Sequence, residues 1–340
     1  MTFLIIIGML LGVILLYLVG IVFLPFIKVK EQPISLNGTD KEIPSCRENI
    51  VFEVDGLKLS GWLYLPDGKS KPVGCVVLTQ GFCGTKDMLL EKYALRFTEA
   101  GFAALTFDYS HFGESEGDPR QLYSLTNQLK DIKAAVQYAR SREEINTDKI
   151  FIWGTSSSGN YGVLVAAEDP NIAGIIGQSP SFDHQADGKR IVKRDGMTWF
   201  LNLIFHAQRD KGRSRLGLSP HKFPVAGLPG STAMFIAPGA YEGYKSISQD
   251  SSTFKNEVCA RLMFDPHGPD LLKSSEKVKC PALFQICEND DIMAPDSHHK
   301  IAGILGERVE IIMNPIGHFD IYFSEYFEKS VREQIKFLKR

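Results

Sequence analysis

The sequence predicts an α/β protein: a mostly parallel sheet with helices on both faces, a long insertion late in the chain and an N-terminal transmembrane helix. Three observations carry this. Short apolar runs of strand length alternate with amphipathic helical patterns, the pattern of strands covered on both faces by crossover helices. Near the start, two strand-like runs flank Asp55-Gly56, a hairpin signal that puts an antiparallel pair at the leading edge of the sheet. Before them, Phe3 to Ile27 contains no charged residue.

That first run is long enough, at about 1.5 Å per helical residue, to cross a hydrocarbon core of about 30 Å. A cleaved signal peptide would show a basic start, an apolar stretch of about 7–15 residues and a small-x-small site. Here Met1-Thr2-Phe3 leads straight into a longer run with no such site, so residues 1–27 are expected to be a retained single-pass anchor. Lys28 and Lys30 flank its end, and the positive-inside rule then puts the body in the cytoplasm. Gly8 and Gly12 have the spacing of a helix-pairing face. Residues 28–47, with Pro33, Asn37-Gly38 and Pro44, read as a linker lifting the body, 48–340, off the bilayer.

Within the body, 49–54 and 57–65 are the hairpin strands. Val73 to Leu78 is a strand, followed by a Gly-rich loop and a helix over about 87–100. Phe102 to Phe107 is a strand, and Leu122, Leu125, Leu129, Ile132, Val136 and Ala139 mark an amphipathic helix over 120–141. Lys149 to Trp153 is a strand, 157–168 a helix and Ile172 to Gly177 a strand. The pattern resumes with strand 282–287, helix 296–305, strand 308–313 and helix 325–338.

The 340 residues are 44% hydrophobic and 23% charged, with 30 Gly and 17 Pro, which excludes disorder and fibrous repeats. A net charge of −2 without a basic, aromatic-studded tract gives no reason to expect nucleic acid. Cys46, Cys75, Cys83, Cys259, Cys280 and Cys287 form no C-x-x-C pair and no zinc-ligand spacing, so neither a metal nor a cofactor is expected. Cys75 and Cys287 fall in strand-like runs, which suits a reducing compartment.

In a parallel sheet, chemistry collects at the carboxyl ends of the strands. After strand 149–153 comes Gly154-Thr155-Ser156-Ser157-Ser158-Gly159 and then a helix. A serine in so tight a turn presents its Oγ above the sheet, and small neighbours are needed because the backbone comes close. Ser158 stands where the G-x-S-x-G signature has its last glycine, and serines also begin helices as plain N-caps. Gly317-His318-Phe319-Asp320 follows the last strand, and Glu288-Asn289-Asp290-Asp291 follows the one before it. The chain order is thus Ser…Asp…His. Ser156 is the expected nucleophile, His318 the base and Asp290 the carboxylate, with Asp291 a close rival that spacing does not exclude. The N–H of Ser157 and that of Phe82, in the loop Gln80-Gly81-Phe82-Cys83-Gly84-Thr85-Lys86-Asp87, are the expected oxyanion donors. Asp87 or Thr85 is expected to cap the next helix.

With these pieces in register the chain resembles the α/β-hydrolase superfamily, and most nearly its dienelactone-hydrolase-like and polyketide-transferase-like branch. The resemblance rests on residues 80–88, on Phe107-Asp108-Tyr109 with Phe112-Gly113-Glu114-Ser115, on 153–159 and on 317–320. It implies an α/β-hydrolase fold with a cap insertion, here about 181–278, and a structural role for Asp108. Gln80 stands where that branch usually has His, and Ser110-His111 where it has Arg-Gly; His111 is expected on a surface loop. The insertion carries Met197, Trp199, Phe200, Leu203 and Phe205 at helical spacing beside Lys189, Arg190, Lys193 and Arg194.

The expected activity is that of a membrane-anchored serine hydrolase cleaving an ester, thioester or amide through an acyl-enzyme on Ser156, with a small-molecule acyl substrate as the partner. An acyltransferase, or a silent hydrolase fold used as a ligand sensor or scaffold, is the alternative. Dehalogenases and epoxide hydrolases of this fold place Asp at the elbow, which Ser156 contradicts.

Overall fold

A computed structural model describes residues 2–38, 42–68, 71–265 and 268–340. Among these, the main sheet has eight strands in the order β1-β2-β4-β3-β5-β6-β9-β10. Strands β1 (Arg47–Val54) and β2 (Leu57–Tyr64) form the expected hairpin, turning through left-handed Asp55 and Gly56. β2 pairs antiparallel with β4 (Ala103–Phe107), and from there every pairing is parallel through β3 (Val73–Thr79), β5 (Ile145–Thr155), β6 (Ile172–Gln178), β9 (Ala282–Cys287) and β10 (Val309–Asn314). The central strands are buried along almost their whole length, which is why they read as unbroken apolar runs.

Helices α2 (Leu90–Glu99), α3 (Leu125–Arg140), α4 (Tyr161–Ala166), α9 (His298–Leu305) and α10 (Ser324–Leu338) cover the sheet. α3 buries Leu125, Leu129, Ile132, Val136 and Ala139 as one stripe. It starts later than the expected 120, because Gln121 is left-handed (φ 67°) and its carbonyl accepts from Cys259 N in the insertion, at 2.8 Å.

Between β6 and β9 the chain builds α5 (His184–Asp195), α6 (Met197–Arg215), α7 (Ala240–Ser248) and α8 (Leu271–Ser275), with a two-strand ribbon of β7 (Lys222–Phe223) and β8 (Val258–Cys259). This insertion lies over the carboxyl ends of β3, β5 and β9, as the contacts below show.

The N-terminal region does not bear out a spanning helix. Helix α1 covers Thr2–Phe23, yet among the described residues no helix is long and apolar enough to cross a membrane. The end of α1 is buried in protein rather than free for lipid. Ile21 and Val22 are buried, Arg209 of α6 donates to both their carbonyls, Arg213 donates to that of Val22 at 3.1 Å, and Tyr17 Oη donates to Gln208 Oε1 at 3.0 Å. The described part of the expected 28–47 linker touches the body. It lies along the insertion, where Asn256 Nδ2 donates to Gln32 O at 2.6 Å, Tyr241 Oη to Pro33 O at 2.6 Å, and Asn37 N to Gln249 O at 2.7 Å. Its residues 39–41 lie outside the described residues.

Candidate active site

β5 ends at Thr155, and the chain turns through Ser156, whose φ of 55° is left-handed although it carries a side chain. Such a backbone costs roughly 1–3 kcal/mol and persists only where its surroundings fix it. A Cβ on Gly154 would sit 2.1 Å from Ser158 O, so this position must be glycine. Ser158, the departure from the usual motif, ties the turn down. Its hydroxyl lies 2.9 Å from Thr79 O and 3.0 Å from Thr155 O, and it accepts from Thr155 N at 3.0 Å. The hydroxyl thus links β3 to the turn, which a glycine could not do.

Ser156 Oγ lies 3.0 Å from His318 Nε2, and His318 Nδ1 lies 2.6 Å from Asp290 Oδ2. A carboxylate only accepts, so Nδ1 carries the ring proton and Nε2 offers its lone pair to the serine hydroxyl. All three side chains are buried. Asp290 Oδ1 accepts from Ile292 N and Met293 N, both at 2.7 Å, which fixes the carboxylate in its loop. Asp291 is exposed, and it is Asp290 that the structure brings within hydrogen-bond distance of His318.

The loop after β3 passes directly over the serine. A Cβ on Gly81 would be 3.1 Å from Ser156 Cβ and 3.7 Å from its Oγ. The glycine lets the loop backbone run close to the nucleophile. Gln80 braces the loop from within: its Oε1 accepts from Gly81 N at 2.9 Å and its Nε2 donates to Met88 O at 2.7 Å. The residue at this unusual position is thus a loop brace. Cys83 is buried, and burial pushes its thiol well up, so it stays protonated and is no competing nucleophile.

Two neighbouring side chains, Asp87 and His111, behave differently from expectation, and a third, Asp108, behaves as expected. Asp87 does not cap α2; it accepts from Ser252 N at 2.8 Å, Thr253 N at 3.1 Å and Ser251 Oγ at 2.7 Å, tying the loop to the insertion. Burial opposes its charge, but these bonds and that from Thr85 hold its carboxyl below the usual range. His111 is buried rather than on the surface, left-handed at φ 73°, with Nδ1 3.1 Å from Pro119 O. Asp108 does hold its own loop, accepting from Glu114 N at 2.9 Å and also from Lys86 N and Nζ at 2.7 and 2.6 Å.

The insertion reaches this site through side chains that belong to no motif. Tyr244 Oη donates to Phe82 O at 3.1 Å, and Phe235 packs edge-on against the Phe82 ring, whose other neighbour is Tyr123. Phe319, next to the histidine, presses on Gly243 of α7. A cavity of about 330 Å³ runs from His318 and Phe319 to the start of α7. Among the described residues, no three His, Cys, Asp or Glu side chains converge to hold a metal ion.

A left-handed serine, an imidazole and a carboxylate in hydrogen-bonded line form the constellation of a serine acyl hydrolase. A family model described as serine aminopeptidase, S33 (Hydrolase_4) matches residues 70–315. The chain belongs to this family. The hydrolase is 36% identical over 299 residues to the quorum-quenching protein AidA of Acinetobacter baumannii, covering 88% of this chain and 96% of that one. It is 29% identical over 308 residues to the polyketide transferase ATR5 of Stachybotrys chlorohalonatus, covering 86% and 97%. Among solved structures it resembles the α/β hydrolase GrgF from Penicillium sp. sh18, with a TM-score of 0.71 at 24% identity, over 88% of this chain and 99% of that one; this likeness speaks for the fold. The enzyme is an α/β-hydrolase of the serine-hydrolase type, with hydrolases and transferases among its relatives.

Proposed function

We propose that the enzyme hydrolyses a carboxylic ester, thioester or amide through an acyl-enzyme on Ser156. The observation that carries this reading is His318 bridging Ser156 and Asp290 at 3.0 and 2.6 Å. His318 Nε2 takes the hydroxyl proton as Oγ attacks the substrate carbonyl, and Asp290 steadies the imidazolium. The oxyanion receives the N–H groups of Phe82 and Ser157, each worth about 3–4 kcal/mol in comparable sites. His318 then passes its proton to the leaving group. Water attacks the acyl-enzyme with His318 again as base, and the acid departs as Ser156 is regenerated. The insertion acts as the cap that selects the acyl and leaving groups. Relatives named polyketide transferase and thiohydrolase are consistent with acyl transfer to either an acceptor or water.

The apolar α1 leaves Met9 and Leu16 about two-thirds or more exposed (67% and 74%). That supports a lipid tether for this helix, with its last turn docked on the cap and, given Lys28 and Lys30, the body on the cytoplasmic side.

Labelling with a fluorophosphonate probe tests the catalytic reading. Wild type is expected to label, and Ser156→Ala and His318→Ala to lose labelling while remaining folded by circular dichroism. A folded wild type that stays unlabelled overturns it and points to a silent hydrolase fold that binds ligand.

A further inference from the structure

We infer that the first helix of the insertion is a positioning element for the triad carboxylate, with Arg190 as its central residue; this deepens the acyl-hydrolase reading and rests on it. Asp290 sits on the loop between β9 and α9, whose backbone has no sheet partner of its own. One face of α5 grips this loop. Asp187, Arg190 and Arg194, at i, i+3 and i+7, share that face. Asp187 Oδ1 accepts from Ala294 N at 2.6 Å. Arg190 donates through one terminal nitrogen to Met293 O at 2.6 Å and through the other to Asp290 O at 2.7 Å. Arg194 donates to Asp291 O. Every residue of 290–294 except Ile292 therefore has a backbone atom held by α5, while the Asp290 carboxylate itself takes the N–H of Ile292 and Met293.

The arrangement is built rather than incidental. Asp187 is buried and is itself fixed by the Ser181 hydroxyl, and Asp183 caps α5 by accepting from Ala186 N at 2.9 Å. The planar guanidinium fork reaches two carbonyls three residues apart through two separate nitrogens, whereas an ammonium would have to serve both from one. The Asp290 peptide held by Arg190 is the one whose side chain orients His318, so slack in this grip appears as slack in the Nδ1–Asp290 hydrogen bond. A misplacement of about 1 Å in a catalytic group costs about 100-fold in rate.

The test compares wild type, Arg190→Gln, Arg190→Lys and, as a control on the exposed face of the same helix, Lys193→Gln. The rate of fluorophosphonate labelling and the kcat and KM for a short activated ester are measured, with the one-dimensional proton NMR signal of the His318 Nδ1–H shared with Asp290. For Arg190→Gln, kcat and labelling rate are expected to fall roughly 10- to 100-fold with KM within about threefold, and the far-downfield proton signal to broaden or vanish. Arg190→Lys should recover part of both, and Lys193→Gln should match wild type. Should the Gln variant fail to fold, Arg190→Lys carries the test through its intermediate rate and weakened signal. Wild-type rates and an intact signal in the Arg190 variants overturn the inference while wild-type labelling stands. A wild type that does not label at all overturns the hydrolase reading instead.

Discussion

Asp290 and Asp291 are neighbouring carboxylates with opposite surroundings. Asp290 is buried, takes two backbone N–H groups on one oxygen and presents the other to His318 at 2.6 Å; Asp291 faces solvent. Removing charge from the first should therefore misorient the imidazole, and from the second should do little. Asp290→Asn is expected to lower kcat on an activated ester by about 10⁴, as for comparable triads, whereas Asp291→Asn should remain within about threefold of wild type. Equal losses in the two variants, read from steady-state kinetics, would contradict the assignment. Sequence spacing could not make this choice, since both residues follow β9 within reach of the histidine loop. Burial and the direction of one loop decide it.

At the scale of elements, the site depends on loops held by side chains from distant helices. Asp131 on α3 holds the loop after β4, accepting from Ser110 N at 2.9 Å and Ser110 Oγ at 2.8 Å through one oxygen. Burial pushes its carboxyl up to about 6, against the pull of those two bonds, with Asp55 adding to the rise and Lys130 opposing it. A folded pKa above the unfolded value means the neutral acid is favoured in the fold. Its contribution to stability is complete below about pH 4 and is lost as pH rises through about 6. Asp131→Asn removes this titration but keeps an acceptor for Ser110. Its stability relative to wild type should climb by on the order of 2–3 kcal/mol between pH 4 and pH 7, measured by urea melts across that range. Curves that stay parallel for the two proteins would refute the assignment. The strands and most helices were legible in the sequence because alternation of buried runs with amphipathic stripes is a local property. The start of α3 was not, because left-handed Gln121 bonds to Cys259, more than a hundred residues away. Asp87 misled for the same reason: its partners, Ser251 to Thr253, come from the insertion.

For the whole molecule, Ser156, His318 and the loop 80–87 stood out by chain order and motif, whereas the insertion's hold on their surroundings did not. Tyr244, Phe235, Asp187 and Arg190 belong to no motif, and only folding brings them onto loops 82–87 and 290–294. The same insertion receives α1, whose last turn is hydrogen-bonded to α6. Ile21 and Val22 are locked to Arg209 and Arg213, while Leu11 and Leu16 further up remain largely exposed. Exposed leucines in an uncharged helix gain most by entering lipid, at about 1.5–3 kcal/mol for each side chain buried. An aspartate in their place costs about 3 kcal/mol in hydrocarbon. The full-length double variant Leu11→Asp/Leu16→Asp should accordingly leave the pellet when centrifuged with phospholipid vesicles, where the wild type sediments. Fluorophosphonate labelling of the two proteins in detergent should be equal, since neither leucine touches the triad or its loops. Cosedimentation of the variant at wild-type levels would refute the tether, and a loss of labelling would instead show that α1 holds the cap in its working position.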